Sequence, residues 1–176
     1  MMFSATFAPE LQRLATQALR NPARVEAGAG ALKTIAHALY PVSQHLKTGL
    51  LLKLLSVTDT NSVLIFTRTK HRANRVAEQI ERAGYKVAAL HSNKSQNQRQ
   101  RALDDFRARK VQILVATDIA ARGLDIASIS HVINYDIPDT SDTYIHRIGR
   151  TGRAEREGDS LTLVTSEDAA TISEIE

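Results

Sequence analysis

Short continuous apolar runs alternate with amphipathic stretches along most of the chain. Val63-Leu64-Ile65-Phe66 lies inside a predicted strand over 62–67. The next segment places Ala73, Val76, Ala77, Ile80 and Ala83 on one stripe, which predicts a helix over 70–83. Gly84 follows as its C-terminal cap. Further strands are predicted over 86–90, 111–116, 131–135 and 161–164, with helices over 96–109, through Tyr144, and from about Glu167. Upstream, Phe7, Leu11, Leu14, Ala15 and Ala18 predict a helix over 7–20, stopped by Asn21-Pro22. Residues 23–34 read as a strand remnant and linker, 35–42 as a strand, and 45–55 as a helix with Leu46, Leu50 and Leu54 on one face. Apolar strands alternating with amphipathic helices mean an α/β fold, a parallel sheet covered on both faces.

Composition narrows the chemistry. At 176 residues, 43% hydrophobic and 24% charged, the chain can bury a sizeable core. With no Trp and 5% aromatics, aliphatic side chains must fill it. The absence of Cys excludes disulfides, thiolate metal sites and cysteine nucleophiles. A net charge of +4 leans toward anionic partners. No apolar run approaches the roughly 18 residues of a membrane span, and the start lacks a secretory pattern. The expectation is a cytoplasmic protein without a membrane partner.

Ligands of open α/β sheets bind beyond the carboxyl ends of the strands. The segments there are Thr67-Arg68-Thr69-Lys70, His91-Ser92-Asn93-Lys94, Thr117-Asp118 leading to Arg122-Gly123-Leu124-Asp125, and Asn134-Tyr135-Asp136 leading to 146–153. Their Arg and Gly density predicts one basic binding edge. Lys70, His71 and Arg72 open one helix, and Arg99 and Arg101 lie in the first turns of another. Cations are unfavourable at helix N-termini unless an anion sits there. The alternative is a solvated basic face with salt-bridge partners. Ser95-Gln96-Asn97-Gln98 has the form of a capping box. Arg147, Arg150 and Arg153 repeat every three residues, broken by Gly149 and Gly152. Such arginines suit bidentate phosphate recognition, or else form an internal salt-bridge network. No G-x-x-x-x-G-K-[ST] loop, G-x-G-x-x-G turn or G-x-S-x-G elbow occurs. The six histidines are scattered singly and predict no metal site. Arginines for a phosphate without a cradle for a nucleotide suggest half of a composite site.

These motifs together resemble the second RecA-like domain of a DEAD-box ATP-dependent RNA helicase, within its bacterial RhlE-type branch. Residues 63–70 resemble motif IV, Gln98-Arg99-Gln100-Arg101 the Q-x-x-R element, 115–125 motif V, and 144–153 motif VI. Ser4-Ala5-Thr6 resembles motif III, which closes the first RecA-like domain. Ser92-Asn93 departs from the Gly that the family often has after His91. The resemblance implies a three-layer α/β/α sandwich with a mostly parallel central sheet. It divides the chain into a first-domain remnant (1–27), a linker (28–34) and the second domain (35–176).

The same resemblance implies roles. Arg150 and Arg153 become arginine fingers on ATP, and Asp125 a ribose contact. His146, Arg147, Ser4 and Thr6 couple the two domains. Thr67, Arg68, Gln98, Arg101, Thr117, Arg122 and Gly123 line the RNA backbone. ATP and Mg²⁺ would bind between this domain and the first RecA-like domain, with the Mg²⁺ ligands outside this chain, so this piece alone is expected to lack ATPase activity. The alternative is a stand-alone RNA-binding module without hydrolysis. A phosphorylated-metabolite enzyme finds no acid–base pair to support it. Residues 2–20, with Phe3, Phe7, Leu11, Leu14 and Leu19 deprived of their first-domain partner, are expected to dock on their own domain or on a neighbouring copy as a dimer.

Overall fold

Six strands build one sheet: β1 (Ile35–Pro41), β2 (Val63–Phe66), β3 (Val87–Leu90), β4 (Ile113–Ala116), β5 (His131–Asn134) and β6 (Gly158–Val164). Their spatial order is β1-β6-β5-β2-β4-β3, and every pairing is parallel. This is the expected α/β/α architecture, and among the described residues every strand pairing is parallel. The computed structural model describes residues 13, 16, 17, 35–58, 61–122, 129–152 and 158–175. The chain divides into two units, Met1–Gly30 and Ala31–Glu176. The expected first-domain remnant, linker and docking segment lie outside the described residues, apart from helical Arg13, Thr16 and Gln17.

The helices are α1 (Lys47–Val57), α2 (Lys70–Arg82), α3 (Gln96–Arg107), α4 (Asp118–Ala121), α5 (Ser141–Ile148) and α6 (Ala169–Ile175). Strand periodicity sorts them into two layers. Val63 and Ile65 of β2 pack with Leu51, Leu54 and Leu55 of α1 and with Ala73, Val76, Ala77 and Ile80 of α2. Leu64 and Phe66 point the other way, into Leu103 and Phe106 of α3 and Ala120 and Ala121 of α4. All four residues of β2 are therefore buried, which is why its apolar run is continuous.

Two features escape the sequence pattern. Helix α4 is a single turn, too short to show a period. Strand β6 starts at Gly158, ahead of the apolar run, because residues 158–160 pair with residues 35–37 of β1, Ile35 with Gly158 and His37 with Ser160. Gly84, with φ +91°, follows α2 as expected.

Helix α5 turns back on the strand that precedes it. Eight residues at about 1.5 Å each carry the chain roughly 12 Å, returning it to the amino ends of the strands. There Thr151 Oγ1 donates to Ile129 O (2.7 Å) and also lies 3.1 Å from Ser130 O. Gly152 takes φ +65°. A Cβ on Gly158 would fall against Thr151 Oγ1 and 2.5 Å from Gly152 N. No helix among the described residues is long and apolar enough to cross a membrane.

His91, which follows β3, is 1% exposed. Its Nε2 lies 2.8 Å from Asn74 Oδ1, and its Nδ1 has no partner. Burial, then Lys94, Lys70 and His71, pull its pKa below the ordinary histidine value.

Two predictions follow from these contacts. Gly158→Ala should lower stability by about 1–3 kcal/mol, whereas Gly49→Ala in α1, where an added Cβ meets nothing within 4 Å, should gain about 0.5–1 kcal/mol. Urea unfolding midpoints check both. The folded pKa of His91 lies below its unfolded value, so the unfolded chain takes the proton first. Stability should be level above about pH 7 and fall as pH drops through about 6.5 toward the folded pKa. Unfolding measured on both sides of about pH 6.5 should show a smaller loss in His91→Gln than in the parent; equal losses would contradict this account.

Candidate functional site

The carboxyl ends of β2, β4 and β5 are tied together by one guanidinium. Arg147, from the last turn of α5, has a side chain only 3% exposed. Its Nε donates to Asp118 Oδ1 (2.7 Å) and its Nη2 to Asp118 Oδ2 (2.8 Å). Its Nη1 reaches Asn134 Oδ1 (3.1 Å) and Asp136 O (2.6 Å). The guanidinium carbon lies 5.0 Å from the centre of the Phe66 ring, a favourable cation–π placement. Helix geometry makes this reach possible, since side chains lean toward the helix N-terminus.

Asp136 extends the tie to the loop between β2 and α2. Its Oδ2 accepts the Arg68 backbone N–H (2.8 Å) and its Oδ1 the Arg72 Nη1 (2.6 Å). Lys47 supports the segment from α1: its buried Nζ donates to Tyr135 O (3.1 Å) and lies 3.9 Å from Asp168 Oδ2. Burial lowers the Lys47 pKa, with Asp136 and Asp168 opposing that effect.

This corrects part of the expectation for cations at helix N-termini. Arg72 has an internal carboxylate partner, the salt-bridge alternative. Its neighbours stay outward: Lys70 Nζ donates to Asn93 Oδ1 (3.0 Å), and the Arg68 guanidinium, half exposed, sits 3.5 Å from exposed Asp139. Helix α3 starts with the expected capping box, Ser95 N–H to Gln98 Oε1 (3.0 Å) and Gln98 N–H to Ser95 Oγ (3.3 Å). Gln98 thus keeps its amide NH₂ for another partner. Arg101 is 87% exposed and only loosely paired, 3.8 Å from Asp105.

The sequence-derived site residues now fall into groups. Arg68, Gln98 and Arg101 are exposed beside the carboxyl edge, as is Arg122 after α4, while half-buried Thr117 caps that helix without a side-chain bond. Thr67 does not join them. It is fully buried, and its hydroxyl turns to Thr69 O (3.3 Å), so as placed it shapes the loop and offers no surface. Arg147 likewise spends four of its five N–H donors inside the domain. The arginine repeat also does not converge on this edge, because α5 carries Arg150 to the opposite end, beside Thr151. Half-buried Arg150 follows the C-cap residue Gly149, and exposed His146 lies one turn earlier. Gly123, Asp125, Arg153, Ser4 and Thr6 lie outside the described residues. Asp118 and Asp136 are the residues to which sequence reasoning gives no role; their signal is a carboxylate two residues past a strand, among otherwise basic loops.

Residues 46–155 match the helicase conserved C-terminal domain family. The chain is 43% identical over 169 residues to DEAD-box ATP-dependent RNA helicase 21 of Oryza sativa subsp. japonica, covering 95% of this chain and 23% of that protein. It is 40% identical to the ATP-dependent RNA helicase CshA of Limosilactobacillus reuteri, covering 100% of this chain and 36% of that protein. The chain therefore spans about a quarter to a third of these relatives. Among solved structures, S. cerevisiae Dbp5 bound to Gle1 and IP6 superposes with a TM-score of 0.83 at 33% identity, covering 97% of this chain and 45% of that one. Plant, bacterial and yeast proteins all match, and these likenesses do not single out an RhlE-type branch. The parallel six-stranded sheet, the family match and the relatives agree: the chain belongs to the DEAD-box helicase family, as its C-terminal RecA-like domain.

Proposed function

We propose that the chain is the second half of an ATP-dependent RNA helicase, contributing RNA-backbone contacts at one end and arginine fingers at the other. The observation that carries this reading is the division of the arginines. Arg147 is buried and holds loops in place. Arg101 and Arg122 face outward at the carboxyl edge. Arg150 is presented about one helix length away, on a turn pinned by Thr151.

At the carboxyl edge, Arg68, Arg101 and Arg122 give charge and the amide of Gln98 gives a donor. Thr117 adds a hydroxyl, and Gly123 is assigned to the same strip. Such groups suit phosphate and sugar, which carry little base information. At the other end, Arg150 with Arg153 would stabilise charge developing on the transferred phosphoryl group, and Asp125 would accept from the ribose hydroxyls. ATP, when bound, supplies the phosphoanhydride whose cleavage drives the cycle. The described residues fit its phosphates through Arg150, whose backbone is fixed by the Arg150 N–H bond to Arg147 O (3.1 Å). The family resemblance assigns the ligands of Mg²⁺ to the first RecA-like domain. Exposed His146, with Ser4 and Thr6, is assigned to contact between domains. Arg147 acts there only through the segments it holds.

Phosphate release and RNA affinity, measured on the two-domain protein, separate the two ends. Arg150→Ala should cut RNA-stimulated turnover by roughly 10³ or more with RNA affinity kept. Arg101→Ala should weaken several unrelated RNA sequences evenly and reduce the salt slope by about one. The isolated 176-residue chain should release no phosphate. Turnover by that chain alone, or near-normal turnover in Arg150→Ala, would contradict the proposal.

A further inference from the structure

Strand β3 ends the sheet at one edge, next to β4 alone. The carbonyls of Lys86 and Leu90 face β4, accepting from Gln112 N–H (2.9 Å) and Thr117 N–H (3.2 Å). Backbone groups of a strand alternate sides, so the N–H and C=O of Val87 and Ala89 face away from the sheet. Helices α2 and α3 flank this edge from opposite faces and enclose a groove of about 460 Å³ whose floor is Val87, Ala88 and Ala89.

The two walls differ. On the α2 side stand Glu78 and Glu81, and on the α3 side Lys94, Gln98, Arg101, Ala102 and Asp105 with the adjoining Val111, Arg101 facing Asp105. Among the described residues, neither Glu78 nor Glu81 has an ion-pair partner. We propose that this groove takes an extended peptide segment of a partner protein, added as a strand to the β3 edge, with basic side chains toward α2 and small apolar ones toward α3. Strand addition supplies affinity through main-chain bonds, and alternate side chains supply specificity. A second copy paired through its own β3, about a two-fold axis normal to the sheet, would set Glu78 and Glu81 against their own copies, an arrangement disfavoured by like charge.

The probe is a capped hexapeptide, Lys-Val-Lys-Val-Lys-Val, titrated into the full chain while backbone amide shifts are followed by NMR. The shifts should centre on Val87 and Ala89. A Glu-Val hexapeptide should bind at least tenfold more weakly, and Glu78→Lys with Glu81→Lys should reverse that preference. A Lys-Val peptide N-methylated on the amides that face β3 should lose binding. Shifts that survive N-methylation would mean charge attraction without a strand, and would overturn the proposal. So would an absence of shifts at the edge, or concentration-dependent dimerisation through β3. None of these outcomes depends on whether the domain serves a helicase.

Discussion

A buried cation needs its donors satisfied, and the organisation of this domain's carboxyl edge follows from how Arg147 meets that need. Four of its hydrogen bonds go to three separate places: the start of α4, the end of β5 and the backbone just beyond it. Removing one partner of such a pair typically costs about 3–5 kcal/mol, because the other charge stays buried alone. The arrangement is therefore cooperative. Asp118 orients α4 and with it Thr117 and Arg122. Asp136, its carbonyl held by Arg147, turns its carboxylate to the β2–α2 loop and fixes Arg68 and Arg72. The loops that present outward cations are held by a cation that faces inward.

The same helix separates two kinds of chemistry. Arg147 sends its side chain back to the carboxyl edge, while the backbone of α5 runs to the opposite end and delivers Arg150. Thr151 and the close approach of Gly158 then fix that turn against the residues just before β5 and the first residue of β6. One helix of eight residues thus joins the two ends, which under the proposed function are the RNA end and the nucleotide end.

Local rules were the legible part of the sequence. The run Val63 to Phe66 marks a strand buried on both sides, Gly84 marks a helix end, and Ser95 with Gln98 closes a box three residues wide. Each depends on neighbours in the chain. The single turn of α4 is shorter than one useful period, and Gly158-Asp159-Ser160 is polar yet paired in a ladder. The partner of Arg72 lies 64 residues away, so its cation looks unneutralised in the linear sequence. The repeat of Arg147, Arg150 and Arg153 reads as one cluster until the helix direction is known. Position 147 then faces the interior, and position 150 lies past the cap. Asp118 and Asp136 were equally hidden, since loop polarity was judged by its cations and the carboxylates that organise them were given no role.

Amide hydrogen exchange in Arg147→Lys tests the organising role of this guanidinium most directly. Lysine keeps the charge but cannot bond Asp118 bidentately while also reaching Asn134 and Asp136. The N–H groups of Arg68, bonded to Asp136, and Arg122, bonded to Asp118 O, should lose protection by roughly tenfold or more through local opening. Leu51 and Leu55, in the far layer on α1, should keep theirs. Unchanged protection at Arg68 and Arg122, or an equal loss throughout the domain, would contradict the account.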